Sequence, residues 1–307
     1  MHIGTIIEIW RYPVKSMAGE QLQNCVVGTL GIPGDRGWAL RDETTGEITN
    51  GKRLPLLMQC EARYAPAASG VIQSVEIRFP DGLLISSAAN DVNTRLTAWL
   101  GRSVSLWPLQ PAENAQHYRR KTKAARVFGW LARYGAIRSL LPLFASFGSA
   151  NAQLRELFNR EPHEPVPDIS ALPPEVLEFT SPPGTYFDAF PIQLLTTASL
   201  DAMARLNPAG VWDVRRFRPN FLIQTEVSLK GLIESEWSGR TLRLGNVELK
   251  CEIPTTRCGM TTHPQGDLPK DPSILRSIVK DANQNLGRYA SVARPGKVQL
   301  GDSVELI

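Results

Sequence analysis

A chain of 307 residues, 42% hydrophobic and 21% charged with both signs interspersed, can bury one large core or two medium ones. Its formal net charge of +4 is too mild to call for nucleic acid, and no apolar run reaches the roughly 18 residues of a spanning helix. Four cysteines and four histidines, scattered without a closely spaced pair, exclude a disulfide framework and argue against structural zinc.

The N-terminus has no basic leader and runs straight into strand-like sequence, so no signal peptide is expected and the expected compartment is a reducing cytoplasm. Strands are predicted over residues 3–10, 38–42 and 74–79, with turns at 31–35, 45–46 and 80–82. A short helix over 90–100, with Val92, Leu96 and Leu100 four apart, stops at Gly101, and a strand over 104–107 follows. Short strands so closely spaced suggest a small barrel or a bent sheet.

Residues 111–184 begin basic (Arg119, Arg120, Lys121, Lys123, Arg126), turn aromatic and aliphatic through 127–147, and end proline-rich over 162–183. Val127, Leu131, Tyr134 and Leu141 share a helical face, which Arg138 and Pro142 interrupt. The interruption favours a cover over the protein's own core, bordering a substrate entrance, over a helix lying on a membrane.

From Thr185 the pattern mixes α and β. Thr197 is the predicted N-cap of a helix over 198–206, ended by Asn207-Pro208. A buried strand is predicted over 221–223, with hairpins over 241–251 around Gly245-Asn246 and over 297–307 around Gly301-Asp302. Asp271-Pro272 sets the N-cap and first turn of a helix running to Leu286 and closed by Gly287.

Basic and polar side chains gather where the chain turns: Lys15 and Ser16 after the first strand, Arg36 in Gly-Asp-Arg-Gly-Trp, Lys52 and Arg53 in the next loop, and Arg218 and Asn220 in Phe-Arg-Pro-Asn. Such donors suit a phosphate and a polar heterocycle. Around Cys258 the run Thr-Thr-Arg-Cys-Gly-Met-Thr-Thr is the sharpest element. An adjacent Arg257 favours thiolate, the form that ligates a soft metal or attacks an electrophile. As a plain nucleophile Cys258 would need a base, for which His263 is the nearest candidate in sequence. Cys25, Cys60 and Cys251 read as packed thiols.

Taken in this order, Tyr-Pro-Val-Lys-Ser, Gly-Asp-Arg before tryptophan, Phe-Arg-Pro-Asn, Arg-Cys with Thr-Thr, and a closing Pro-Gly-x-Val-x-x-Gly-Asp-x-Val resemble the MOSC proteins. MOSC proteins are named after the C-terminal domain of molybdenum-cofactor sulfurase. The form resembled is the one with an N-terminal β-barrel domain, as in the mitochondrial amidoxime-reducing component and its bacterial counterparts. The resemblance implies an α+β, mainly β architecture: a β-barrel-like domain over 1–108, an inserted helical and proline-rich segment over 109–184, and a MOSC β-barrel with flanking helices over 185–307.

It also implies a molybdenum cofactor, with Cys258 as the metal ligand and catalytic residue. Lys15, Ser16 and Arg36 would hold phosphate and pterin, with Lys52 and Arg53 beside them. Arg218, Asn220, Thr256 and Arg257 would bind pterin from the other side, with Thr196 a further candidate. Pyridoxal phosphate is not expected. The implied activity is reduction of N-hydroxylated small molecules. Electrons would come from a separate protein, because the chain has no cysteine cluster for an iron–sulfur centre. A non-catalytic cofactor or sulfur carrier and a metal-free enzyme using Cys258 and His263 are the alternatives. Where the family places an Asp-Pro after Thr-Thr, this chain has His263-Pro264, so no role of that acid carries over.

Overall fold

The structure, a computed structural model, describes residues 1–65, 74–121, 151–152, 154–155, 158, 160–167, 173 and 175–307. β1 (His2–Arg11) leads into two short strands, β2 (Glu20–Leu22) and β3 (Asn24–Val27). β4 (Trp38–Asp42) pairs with β5 (Glu47–Ile48), and β6 (Glu61–Tyr64), β7 (Val75–Arg78) and β8 (Leu84–Ser86) form an antiparallel meander. Helix α1 (Val92–Leu100) then returns the chain to β9 (Val104–Pro108), which pairs with β4. Val92, Leu96 and Leu100 are buried as the periodicity predicts, and Gly101 ends the helix at φ 63°. The two small sheets share one core, and bridges from Val14 to Trp38 and from Ala18 to Glu61 tie residues 14–18 to both.

In the C-terminal part, β10 (Ile192–Thr196), β11 (Phe221–Thr225), β12 (Thr241–Leu244), β13 (Val247–Thr256), β14 (Asn285–Arg294), β15 (Gly296–Gln299) and β16 (Ser303–Leu306) are the strands. Six of these seven run in the order β11-β10-β14-β13-β12-β16, and β1 pairs with both ends of that series, closing a barrel. Ile3, Ile6 and Ile9 of β1 join its core beside Phe221, Ile223, Leu244 and Val304. Gly4 has no alternative here, because a Cβ would lie 1.8 Å from the carbonyl oxygen of Gln224. The first strand of the chain therefore completes a barrel built otherwise from its last third. The architecture is α+β and mainly β, with helices α2 (Thr197–Leu206) and α3 (Pro272–Asp281) flanking the barrel and packed on Phe217 and Leu222.

Three sequence expectations need correction. The N-cap of α2 is Thr196, not Thr197: it keeps the extended backbone of β10, and its hydroxyl accepts from the amide of Ser199 at 3.2 Å. Residues 297–307 do not form a hairpin. β15 pairs with β3 and β16 with β1 and β12, so the turn at Gly301-Asp302 passes the chain between sheets. Helix α3 ends at Asp281, because Asn283 and Gln284 take left-handed backbones (φ 45° and 70°); Leu286 and Gly287 already belong to β14.

The helical face predicted on Val127, Leu131, Tyr134 and Leu141, with Arg138 and Pro142, lies outside the described residues. Further along that segment Arg160 and Glu164 are buried, the latter paired with Arg276 of α3. Among the described residues no helix is long and apolar enough to cross a membrane.

Candidate functional site

Segment 12–16 leaves β1 and is pinned to β4, since Lys15 N donates to Trp38 O (2.8 Å) and Trp38 N to Pro13 O (3.0 Å). The Lys15 ammonium is buried, donating to Tyr186 O (2.8 Å) and pairing with the Asp188 carboxylate (2.6 Å), which is 69% exposed. Burial pushes the Lys15 ammonium down, although Asp188 holds it up; Asp188 in turn is depressed by Lys15 against the effect of its own desolvation. The Ser16 hydroxyl accepts from Gly51 N at 2.9 Å, which fixes the next basic loop.

Asp35 organises the second loop from a fully buried position. It accepts from Tyr12 N (2.8 Å) and from Asn220 Nδ2 (3.0 Å), and it pairs with Arg36. Burial acts to lower the Arg36 guanidinium, but Asp35, Tyr12 and Asp188 together raise it. Arg218 donates to Met17 O and, with nothing to offset its burial fully, is pushed down to about 10. The guanidinium carbons of Arg36 and Arg218 lie 4.7 and 4.3 Å from the Tyr12 ring centroid, an arrangement that favours cations.

Cys258 sits at the entry to a 3-10 turn, Gly259–Thr262, with its carbonyl accepting from Thr261 N (3.2 Å) and Thr261 Oγ1 (3.1 Å). Two arginines brace this loop. Arg257 donates to Leu286 O (2.7 Å) and Phe217 O (2.9 Å), and Arg216 donates to Val211 O (3.0 Å), Thr261 O (3.2 Å) and Pro269 O (2.8 Å). Cys258 is the partly exposed thiol; Cys25, Cys60 and Cys251 are buried, and burial pushes each of those three up to about 12. Folded, cofactor-free protein treated with iodoacetamide at pH 8 is therefore expected to label at Cys258 alone, and unfolded protein at all four. Peptide mapping that finds Cys60 or Cys251 modified in the folded protein would contradict this burial.

One cavity is lined by Lys15, Ser16, Arg36, Arg218, Asn220, Thr256, Arg257 and Cys258, and thus gathers residues predicted from both ends of the chain. Among the described residues, three of the five non-glycine residues with positive φ, Ser16 (70°), Arg36 (49°) and Arg218 (54°), are in that lining. Backbone strain of this kind concentrates where side chains are held for a ligand. Five of the lining residues are Lys or Arg and one, Asp188, is acidic, so the cavity suits an anion.

Three predicted residues are not in that lining, although one of them, Lys52, is near enough to act on the charges of Lys15 and Asp188. Lys52 stands 5.2 Å from the Phe158 ring, outside the lining. Arg53 pairs with Glu47 (2.9 Å) in a separate open cavity, where Arg102 is likewise paired with Asp42, so both carboxylates of that lining are already engaged. Thr196 is fully buried and donates to Glu234 at 2.7 Å. His263 does not line the Cys258 cavity. Tyr12, Asp35, Asp188, Gln193 and Arg216 are not singled out by the sequence; Tyr12 and Asp35, each inside a recognised motif, carry a local signal.

Residues 3–115 match the MOSC N-terminal beta barrel domain and residues 183–305 the MOSC domain. The chain is 26% identical to the Bos taurus mitochondrial amidoxime reducing component 2, over 98% of this chain and 83% of that protein. It is 25% identical to the Homo sapiens mitochondrial amidoxime-reducing component 1, over 99% and 83%. The solved YUAD protein from Bacillus subtilis aligns over 99% of this chain and 95% of that one, with a TM-score of 0.41 and 11% identity.

Proposed function

The chain belongs to the MOSC-domain family, in the form with an N-terminal β-barrel domain, and on that footing we propose that it binds a molybdenum cofactor and reduces N-hydroxylated small molecules. Electrons would come from a separate protein. The observation that carries this reading is the place of Cys258: a partly exposed residue on the wall of a cavity whose charged lining is mostly cationic and comes from both halves of the chain.

The donor set agrees with such a group. Among the described residues Arg218 Nη2 and Arg257 Nη2 are buried N–H donors without partners, a costly state unless a ligand supplies acceptors, and an anionic pterin phosphate is rich in them. Among the described residues no cluster of three or more His, Cys, Asp or Glu could hold a metal ion. Cys258 offers one soft ligand, so the metal's remaining ligands would have to arrive with it.

When bound, the cofactor would supply the two-electron chemistry that removes the N-hydroxyl oxygen as water. The protein's share is binding and orientation. Lys15, Ser16 and Arg36 would hold the phosphate, and an incoming anion would compete with Asp188 for the Lys15 ammonium; the exposed carboxylate of Asp188 can turn to water. Arg218 and Arg257 would face the pterin, with Asn220 and Thr256 acting more as clips, since the Asn220 amide already bonds Asp35 and Gln193 N, and Thr256 bonds Asn285. Arg53 and Thr196, engaged with Glu47 and Glu234, take no part in this proposal.

Protein purified from a host that makes the cofactor is expected to carry about one molybdenum and one pterin per chain, and to reduce benzamidoxime with a reduced viologen as electron donor. Protein without molybdenum would sink the reading. Molybdenum without turnover would leave cofactor binding and remove the reductase.

A further inference from the structure

We infer that Gln193 and Arg257 together form a subsite for one sp2 oxygen of a bound ligand, a carbonyl or a carboxylate, at the base of the Cys258 cavity. Gln193 lies on β10 between Ile192 and Leu194, and all five residues of that strand are buried. Its backbone is fixed on both sides by Asn220: Gln193 N donates to Asn220 Oδ1 (3.0 Å), and Asn220 N donates to Gln193 O (2.8 Å). The residue is 5% exposed and lines the cavity, and its Nε2 is buried with no hydrogen-bond partner among the described residues. A strand of Ile and Leu could have carried another aliphatic residue there, at no desolvation cost.

The second donor is in the same place. Arg257 uses Nε and Nη1 on the carbonyls of Leu286 and Phe217, whereas Nη2 is buried and has no partner among the described residues. Gly287 joins the two. At φ +84°, a Cβ on it would lie 3.1 Å from Arg257 Nη2, 3.1 Å from Gln193 Nε2 and 2.7 Å from Leu194 O. The absent side chain leaves both donors bare beside one point. A neutral amide nitrogen and a guanidinium nitrogen this close together complement an oxygen carrying partial or full negative charge.

The inference rests on the proposed function for which ligand brings that oxygen: the cofactor's ring or the substrate. Gln193→Leu, close in size but without donors, separates these. Cofactor-free Gln193→Leu is expected to melt at the same temperature as the parent or slightly above it, because an unpaired buried amide has been removed. If the oxygen is the cofactor's, molybdenum and pterin retained through dialysis should fall about tenfold. If it is the substrate's, retention should stand and KM for benzamidoxime should rise about tenfold at constant kcat.

Unchanged retention together with unchanged KM would overturn the inference. So would a clear drop in the melting temperature of the cofactor-free variant, which would mean that the amide is turned over, its oxygen accepting from Arg257 Nη2. Should the parent carry no molybdenum, the proposed function falls on its own; the subsite is then read by titrating a free fluorescent pterin into parent and variant. Weaker binding to the variant supports the subsite, and equal binding overturns it.

Discussion

Cys258→Ser is expected to fold as the parent does and to purify with less than about a tenth of the parent's molybdenum, since even outer-shell changes commonly cost 10–100-fold in metal affinity. The fold should survive because the thiol contributes little to packing. Cys258 is partly exposed, its carbonyl is held by Thr261, and its loop is braced by Arg216 and Arg257, which the substitution leaves in place. The metal should not survive because a hydroxyl is a harder and far less acidic ligand than a thiol. Cys60→Ser and Cys251→Ser should behave in the opposite way. Each would place a hydroxyl where a buried thiol stood, costing about 1–3 kcal/mol of stability while metal content stays level. Metal analysis and thermal melts on the three proteins decide the matter, and a fully loaded, active Cys258→Ser protein would remove Cys258 as the ligand.

Local chemistry was legible in the sequence wherever a short-range rule acts. Apolar spacing found α1, Gly101 found its end, and Asp271-Pro272 found the start of α3, because caps and periodicity depend on neighbours within a turn. Long-range pairing was not. Nothing in residues 2–11 says that they lie between residues 221–225 and 303–306, and nothing in 296–299 says that they pair with 24–27. β14 was hidden for a related reason: Leu286 continues the helical stripe of α3, and only the backbones of Asn283 and Gln284 break it. Asn tolerates that conformation, but Gln rarely signals it.

The site divides along the same line. Lys15, Ser16, Arg36, Arg218, Arg257 and Cys258 stood out because motif residues cluster in loops. Asp188 and Gln193 are single residues whose neighbours exist only in the folded chain. Arg53 misled because a basic residue in a loop looks free until its partner, Glu47, is seen beside it. The mild positive charge of the chain, by contrast, is concentrated in the cavity in the way the sequence left open, with five cationic side chains against one carboxylate.

The closure of the barrel by β1 carries the largest expected effect on stability. Residues 185–307 expressed alone are expected to be insoluble or to show no cooperative melting, although they span all but the first two residues of the MOSC match. Without β1, the facing edges of β11 and β16 lose their partner along Gly4 to Ile9 and His2 to Thr5, and open edges invite association between chains. Ile3, Ile6 and Ile9 would also be missing from the core, about 1.5–3 kcal/mol of burial each, which together approaches the 5–15 kcal/mol that holds a typical domain folded. The remedy is built into the fold. Gly31 lies against Pro191, where a Cβ on it would come within 3.1 Å of the proline side chain, so residues 1–31 can be joined to 185–307 by a short Gly-Ser linker. That fusion restores β1 to the barrel and β3 to its partner β15, and it is expected to be monomeric with a cooperative thermal transition. It lacks Asp35 and Arg36, so it should retain little molybdenum even when folded. A monomeric 185–307 fragment that melts cooperatively would show that the barrel is stable while open, and β1 would then be an accessory strand.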